Sequence, residues 1–170
     1  FRIFKKYFSV KFLYFINFFK HMYLLFFNKS SYLKKTGFLK SFFSKTPVSL
    51  DDEIIPWMNY SIIFFLKNRL NNSMCLFEYG SGYSTFFYSK IVKNVYSVEH
   101  NKEWYSQINK KIDQNVNLIF HELDENYSKQ AFLSKKKFNV IVIDGRDRVN
   151  CVINSLNALT EDGVFIFDDT

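Results

Sequence analysis

The sequence predicts an α/β fold, a doubly wound and mainly parallel sheet of Rossmann-like type, preceded by a basic helical extension. Three observations carry this reading. From Met74 onward, five short apolar runs alternate with segments of helical character, the pattern of repeated strand–helix units. The runs are apolar almost throughout, as strands buried on both faces are. The chain of 170 residues is long enough for one substantial core plus an appendage.

Taken in order, residues 1–46 interleave bases with Phe, Tyr and Leu and form the extension. Residues 47–73 hold a linker and a leading helix, and residues 74–170 form the core domain. Pro56 opens the helix, which is expected over 57–70 with Trp57, Met58, Ile62, Phe65 and Leu66 near helical spacing. Asn71, Asn72 and Ser73 end it. Strands are expected at 74–79, 95–98, 116–120, 138–143 and 164–167. Helices are expected at 84–92, 102–111 and 148–159, with a short one inside the polar stretch 126–137. The Glu161-Asp162-Gly163 sequence reads as the turn before the last strand.

The charge is segregated. Residues 1–46 carry ten Lys or Arg and no acid, whereas the remainder carries thirteen bases and sixteen acids. The net charge of +7 therefore belongs to the extension and says little about the core domain. The longest uncharged stretch there, residues 12–19, is shorter than the roughly 18–20 apolar residues that span a bilayer. A signal peptide fits poorly, since Lys20 and His21 interrupt the apolar region. Two readings remain open, a helical lid over the domain and an interfacial helix making peripheral contact with an anionic membrane. Nucleic-acid binding is the weaker third, because no recognised module accompanies the segment. Cys75 and Cys151 lack metal-site spacing and read as core residues of a reducing compartment. The expected location is the cytoplasm, with the membrane surface as the second candidate.

In such a sheet, ligands bind beyond the carboxyl ends of the strands where strand order reverses. The residues there are Glu78-Tyr79-Gly80-Ser81-Gly82-Tyr83-Ser84-Thr85, then Glu99-His100, then His121-Glu122-Leu123-Asp124, then Asp144-Gly145-Arg146-Asp147, and Asp168-Asp169. Gly80 permits a tight turn, and Gly82 lets a ligand approach the main chain. Ser84 or Thr85 can cap the next helix. Glu99, seventeen residues after Gly82, can accept hydrogen bonds from ribose hydroxyls. Dinucleotide sites want a third small residue where Thr85 stands, and Glu78 before the loop would repel a pyrophosphate. A cofactor carrying an amino group and a sulfonium suits an acid better, which favours S-adenosylmethionine over NAD; an NAD-binding oxidoreductase domain is the alternative. A non-catalytic Rossmann-like domain is a further alternative.

With those residues in view, the chain resembles the class I S-adenosylmethionine-dependent methyltransferases over about residues 57–170. The resemblance rests on the motif from Phe77 to Thr85, on Val98-Glu99-His100, and on the run from Phe138 to Asp144 followed by Gly145. It implies that Gly80 and Gly82 border the methionine part of the cofactor, that Glu99 holds the ribose, and that residues after the third strand, Glu122 or Asp124, flank the adenine. The cofactor-binding set expected on these grounds is Glu78, Gly80, Ser81, Gly82, Ser84, Thr85, Glu99, His100 and Asp144. Methyl transfer to a small-molecule or sugar acceptor, at oxygen, is the expected activity.

Asp144, Asp168 and Asp169 follow neighbouring strands. Clustered carboxylates repel unless a cation sits among them, and oxygen ligands suit Mg²⁺, which could lower the pKa of an acceptor hydroxyl. The set resembles that of metal-dependent O-methyltransferases acting on catechols or sugars, and makes Asp144 the candidate catalytic residue. The competing expectation is that Arg146 and Arg148 neutralise the acids. His100 can meet the adenosine edge or begin a helix, and His121 can be a base or a loop residue. Family members continue past the fifth strand with a helix and an antiparallel strand pair, so the sequence is expected to be a fragment.

Overall fold

Five parallel strands build the sheet of this computed structural model, which describes residues 2–168 and the side chains of residues 10–168. The strands are β1 (Cys75–Tyr79), β2 (Asn94–Glu99), β3 (Val116–Phe120), β4 (Phe138–Ile143) and β5 (Leu159–Phe167), in spatial order β3-β2-β1-β4-β5. The order reverses at β1, with β2 and β3 on one side and β4 and β5 on the other. The crevice predicted for such a sheet therefore opens beyond the ends of β1 and β4.

Alternate residues of each strand feed two cores. On one face Leu76, Val95 and Val140 meet Ile63 and Leu66 of α4 (Tyr60–Arg69) and Phe87 of α5 (Tyr83–Ser89). On the other, Phe77, Tyr79, Ile141 and Ile143 meet Tyr127 and Cys151. Tyr127 lies in a 3₁₀ turn, Tyr127–Lys129, that leads into α7 (Gln130–Leu133); Cys151 lies in α8 (Arg148–Ser155). The remaining core-domain helix is α6 (Lys102–Asn109), where Asn101 Oδ1 caps by accepting from the Trp104 amide at 2.9 Å. Both cysteines are free, Cys151 buried and Cys75 half-buried.

Three expectations need correction. The leading helix starts at Tyr60, because Asn59 provides a better cap than Pro56: its Oδ1 accepts from the Ser61 amide at 2.8 Å. Its buried face carries Ile63 and Leu66, while Trp57, Ile62 and Phe65 are exposed. Glu161, Asp162 and Gly163 do not form a turn before a short strand. They lie within β5, beside a register shift against β4 between Phe138 and Val140, and a Cβ on Gly163 would approach the Phe138 carbonyl to 3.0 Å. The last helix is shorter than 148–159, tightening into a 3₁₀ turn at Leu156–Ala158.

The chain divides into two compact units, one up to Glu53 and one from Ile54, a boundary inside the segment 47–73. The first unit contains α1 (Arg2–Phe27), α2 (Tyr32–Lys35) and α3 (Phe38–Ser44). Ser31 Oγ caps α2, and Gly37, at φ 80°, leads into α3. Within Val10–Lys35 an 18-residue window reaches a mean hydropathy of 1.2, long and apolar enough by length and composition to cross a membrane. Its uncharged stretch alone is not.

Candidate functional site

β1 and β2 end side by side, Tyr79 opposite Val98, and the Gly80 amide donates to the Val98 carbonyl at 2.9 Å. The chain then turns sharply. Gly80 has φ 86°, and a Cβ there would lie 2.9 Å from the Asp144 carbonyl oxygen. Glycine is thus required twice over, by backbone angle and by the close pass of the loop after β4. Gly82 differs: its φ of 176° is ordinary extended backbone. A Cβ there would meet only the Trp104 ring, at 3.9 Å. One glycine builds the turn; the other leaves room.

Two buried glutamates hold this loop. Glu99, at the end of β2, accepts from the Ser81 amide at 3.0 Å and from Ser81 Oγ at 3.3 Å through Oε2. Its Oε1 accepts from the Asn101 amide at 2.7 Å. A carboxylate offers about four acceptor positions, so three protein donors leave capacity for one ligand hydroxyl without rearrangement.

Glu78 is fully buried on the α5 side of β1 and hydrogen-bonds Ser84 Oγ, Thr85 Oγ1 at 2.6 Å and Ser97 Oγ at 3.2 Å. Thr85 Oγ1 in turn accepts from the Gly82 amide at 2.9 Å. Ser84 and Thr85 were expected to cap α5 and touch the cofactor. Gly82 is the N-cap residue, Thr85 Oγ1 serves the cap by accepting its amide, and the hydroxyls of both Ser84 and Thr85 donate to Glu78. Burial pushes the Glu78 carboxyl up to about 8, its hydroxyl partners oppose the rise, and the nearby Asp144 adds to it. Near neutral pH Glu78 is therefore mostly uncharged. Its expected role as an ionised group repelling a pyrophosphate is corrected: desolvation removes the charge on which that argument rested.

Sequence reasoning missed Trp104. Its Nε1 donates to the Ser81 carbonyl at 2.7 Å, and its ring packs edge-on to Tyr83. The available signal was its place in the first turn of α6, three residues after the capping Asn101. Ser97 was missed too, and its parity with Glu99 on β2 could have placed it on the Glu78 side. His100 is half-buried beside the ring of Tyr127. Its Nδ1 lies 3.2 Å from Glu99 Oε1 but out of line for a hydrogen bond, and is a buried polar atom without a partner.

Across the crevice, the Asp144 amide donates to the Tyr79 carbonyl at 3.0 Å, which brings Asp144 beside Gly80. Asp168 follows β5, whose Phe167 pairs with Ile143. Arg148 reaches between them, its Nε donating to the Gly145 carbonyl at 3.2 Å and an Nη to the Asp168 carbonyl at 2.6 Å. Asp169 lies outside the described residues. Among the described residues no three acids, histidines or cysteines converge as metal ligands would. Asp124 Oδ1 accepts from the Asn126 and Tyr127 amides at 2.7 and 3.1 Å, which accounts for it as a turn residue. His121 Nδ1 lies 2.9 Å from the Glu122 carbonyl.

A family model described as a methyltransferase domain matches residues 77–170, more than half of the chain and the whole of this crevice. The chain belongs to the class I S-adenosylmethionine-dependent methyltransferase family. No curated protein matches the sequence. Among solved structures, the chain is similar to the crystal structure of precorrin 8W decarboxylase from Methanobacterium thermoautotrophicum. The two are 20% identical, with a TM-score of 0.51, over 68% of this chain and 69% of that one. At that identity the likeness is one of fold, the Rossmann-like sheet. The matched residues begin within β1 and take in both glutamates, both glycines and the Asp144 loop.

Proposed function

We propose that the chain binds S-adenosylmethionine at the β1–β2 corner and transfers its methyl group to an oxygen of a small-molecule or sugar acceptor. The carrying observation is the pair of loop glycines. Gly80 is locked into its turn, and Gly82, where a Cβ would meet only the Trp104 ring at 3.9 Å, leaves main chain uncovered beside the hydrogen-bonded Ser81. The residues fit such a cofactor. Main chain at Gly80–Gly82 would border its amino-acid end, Glu99 has one acceptor position for a ribose hydroxyl, and the unpartnered His100 Nδ1 suits the polar edge of an adenosine. Asp144 stands at the boundary between this corner and the acceptor side.

When bound, the cofactor supplies an electrophilic methyl group on a sulfonium. The protein's part is alignment, since methyl transfer needs no nucleophilic side chain. The loop is held by hydrogen bonds at Ser81, Gly82 and Glu99, so little rearrangement precedes binding. An acceptor hydroxyl must also lose its proton, and we assign that proton to Asp144, at the end of β4 beside Gly80.

The test is incubation with methyl-labelled S-adenosylmethionine and a set of sugars and catechols, with and without a chelator. Label is expected in an ether, and a loss of transfer in Asp144→Asn larger than any loss of cofactor binding. Label on nitrogen or carbon would remove the oxygen assignment. Failure of the protein to retain the labelled cofactor would overturn the reading as a whole.

A further inference from the structure

Helix α1 has no use in the methyl-transfer reading, and its composition asks for an explanation. From Val10 to Phe27 it is a single helix whose large apolar side chains are exposed almost throughout. At 100° per residue, Phe12, Phe15, Phe19, Met22 and Phe26 fall along one side, spaced three and four apart. Asn17, Lys20 and His21 fall on the other, with Leu13 and Leu24 between them, and His21 Nδ1 lies 2.6 Å from the Asn17 carbonyl. The apolar side is continuous: Phe15 and Phe19 pack edge to face at 4.6 Å, and Phe18 meets Phe19 at 5.6 Å. Between Val10 and Phe27 Lys11 alone breaks it, and its long stem can carry the charge outward.

We infer that α1 lies in the interface of an anionic lipid bilayer, its phenylalanine side sunk among the acyl chains and its Lys20 side toward the headgroups. Charge complementarity selects this occupant. Residues 1–46 hold ten bases and no acid, a balance that attracts an anionic surface. The face is built of large aromatic and aliphatic groups, as interfacial helices are. The length of the helix would allow a crossing, but a crossing would bring Asn17, Lys20 and His21 into the hydrocarbon, which is costly. Lying in the plane keeps those three wet. The inference is independent of the acceptor and of the cofactor.

The experiment is flotation of the 170-residue protein with vesicles of phosphatidylcholine, and with an equal mixture of phosphatidylcholine and phosphatidylglycerol. The protein floats with the mixed vesicles at least about tenfold better than with neutral ones, and high salt or alkaline carbonate releases it. The double substitution Phe15→Glu and Phe19→Glu abolishes flotation. A second double substitution, Leu13→Glu and Leu24→Glu, adds the same charge on the Lys20 side and retains most of it. Circular dichroism confirms that both variants stay folded. Equal loss in the two variants, or equal flotation with neutral vesicles, overturns the inference. Resistance to carbonate would mean a spanning helix, and no flotation at all would mean a lid on the chain's own sheet domain; either result also overturns it.

Discussion

The corner at the ends of β1 and β2 and the corner at the ends of β4 and β5 flank one crevice, yet they are built on different plans. At the first, buried carboxylates gather hydroxyls and amides: Glu78 takes Ser84, Thr85 and Ser97, and Glu99 takes Ser81 and Asn101. At the second, a guanidinium gathers main-chain carbonyls, those of Gly145 and Asp168. The first plan turns side chains inward and leaves main chain facing a ligand. The second sets half-buried carboxylates and a cation at the rim. Cofactor recognition suits the first, and acceptor chemistry suits the second.

The largest effect is expected from breaking the first corner at its turn. Gly80→Val forces a β-branched residue to φ 86° and drives its Cβ against the Asp144 carbonyl. A loss of at least about 2 kcal/mol is expected in urea unfolding. A variant as stable as the parent would show that the loop is not held as described.

Next comes Glu78. Glu78→Ala strips three buried hydroxyls of their acceptor and should cost about 2–4 kcal/mol, whereas Glu78→Gln keeps most of the geometry. The pH dependence separates the two causes. The folded carboxyl sits at about 8 against an ordinary 4.5, so between those values the native state binds a proton that the unfolded chain has lost. Stability therefore falls as pH rises from about 4.5 to about 8 and levels off above. In Glu78→Gln that portion of the slope disappears. An unchanged slope would mean that Glu78 is ionised in the folded protein.

The second corner should respond differently. Arg148→Met removes the two carbonyl contacts and should cost about 1–2 kcal/mol, with cofactor affinity altered less than about threefold. A large loss of cofactor binding would merge the two corners into one unit. The smallest effect belongs to Trp104→Phe, which deletes the bond to the Ser81 carbonyl while keeping an aromatic ring. A change under about 1 kcal/mol in unfolding free energy is expected, and cofactor titration of the wild type should alter Trp104 fluorescence, a signal absent from the variant.

Much of this architecture was legible in the residue pattern. β3 and β4 begin and end where their apolar runs do, because strands buried on both faces leave sharp edges in hydrophobicity. The Gly80-Ser81-Gly82 loop and Glu99 were readable as a corner from spacing alone. The α4 face was not: Ile62, Ile63, Phe65 and Leu66 are all apolar, and only the packing against β1 and β4 decides which are covered. Nor was the charge of Glu78. Composition shows a carboxylate, but its protonation comes from burial between the sheet and α5, which outweighs the opposing hydroxyls of Ser84, Thr85 and Ser97, and that burial is a property of several elements at once. The β5 irregularity was hidden for a similar reason, since Glu161-Asp162-Gly163 looks like a turn until Gly163 is placed against Phe138.

The division of labour between the two loop glycines gives the most direct test. In calorimetric titration with S-adenosylmethionine and with NAD, the wild-type chain should bind only the former. Gly82→Val has room in the fold beside Trp104 and should unfold like the parent, yet bind S-adenosylmethionine at least about tenfold more weakly because its methyl groups enter the space left for the ligand. Unchanged cofactor affinity in Gly82→Val, or binding of NAD in place of S-adenosylmethionine by the wild type, would contradict the assignment of this corner.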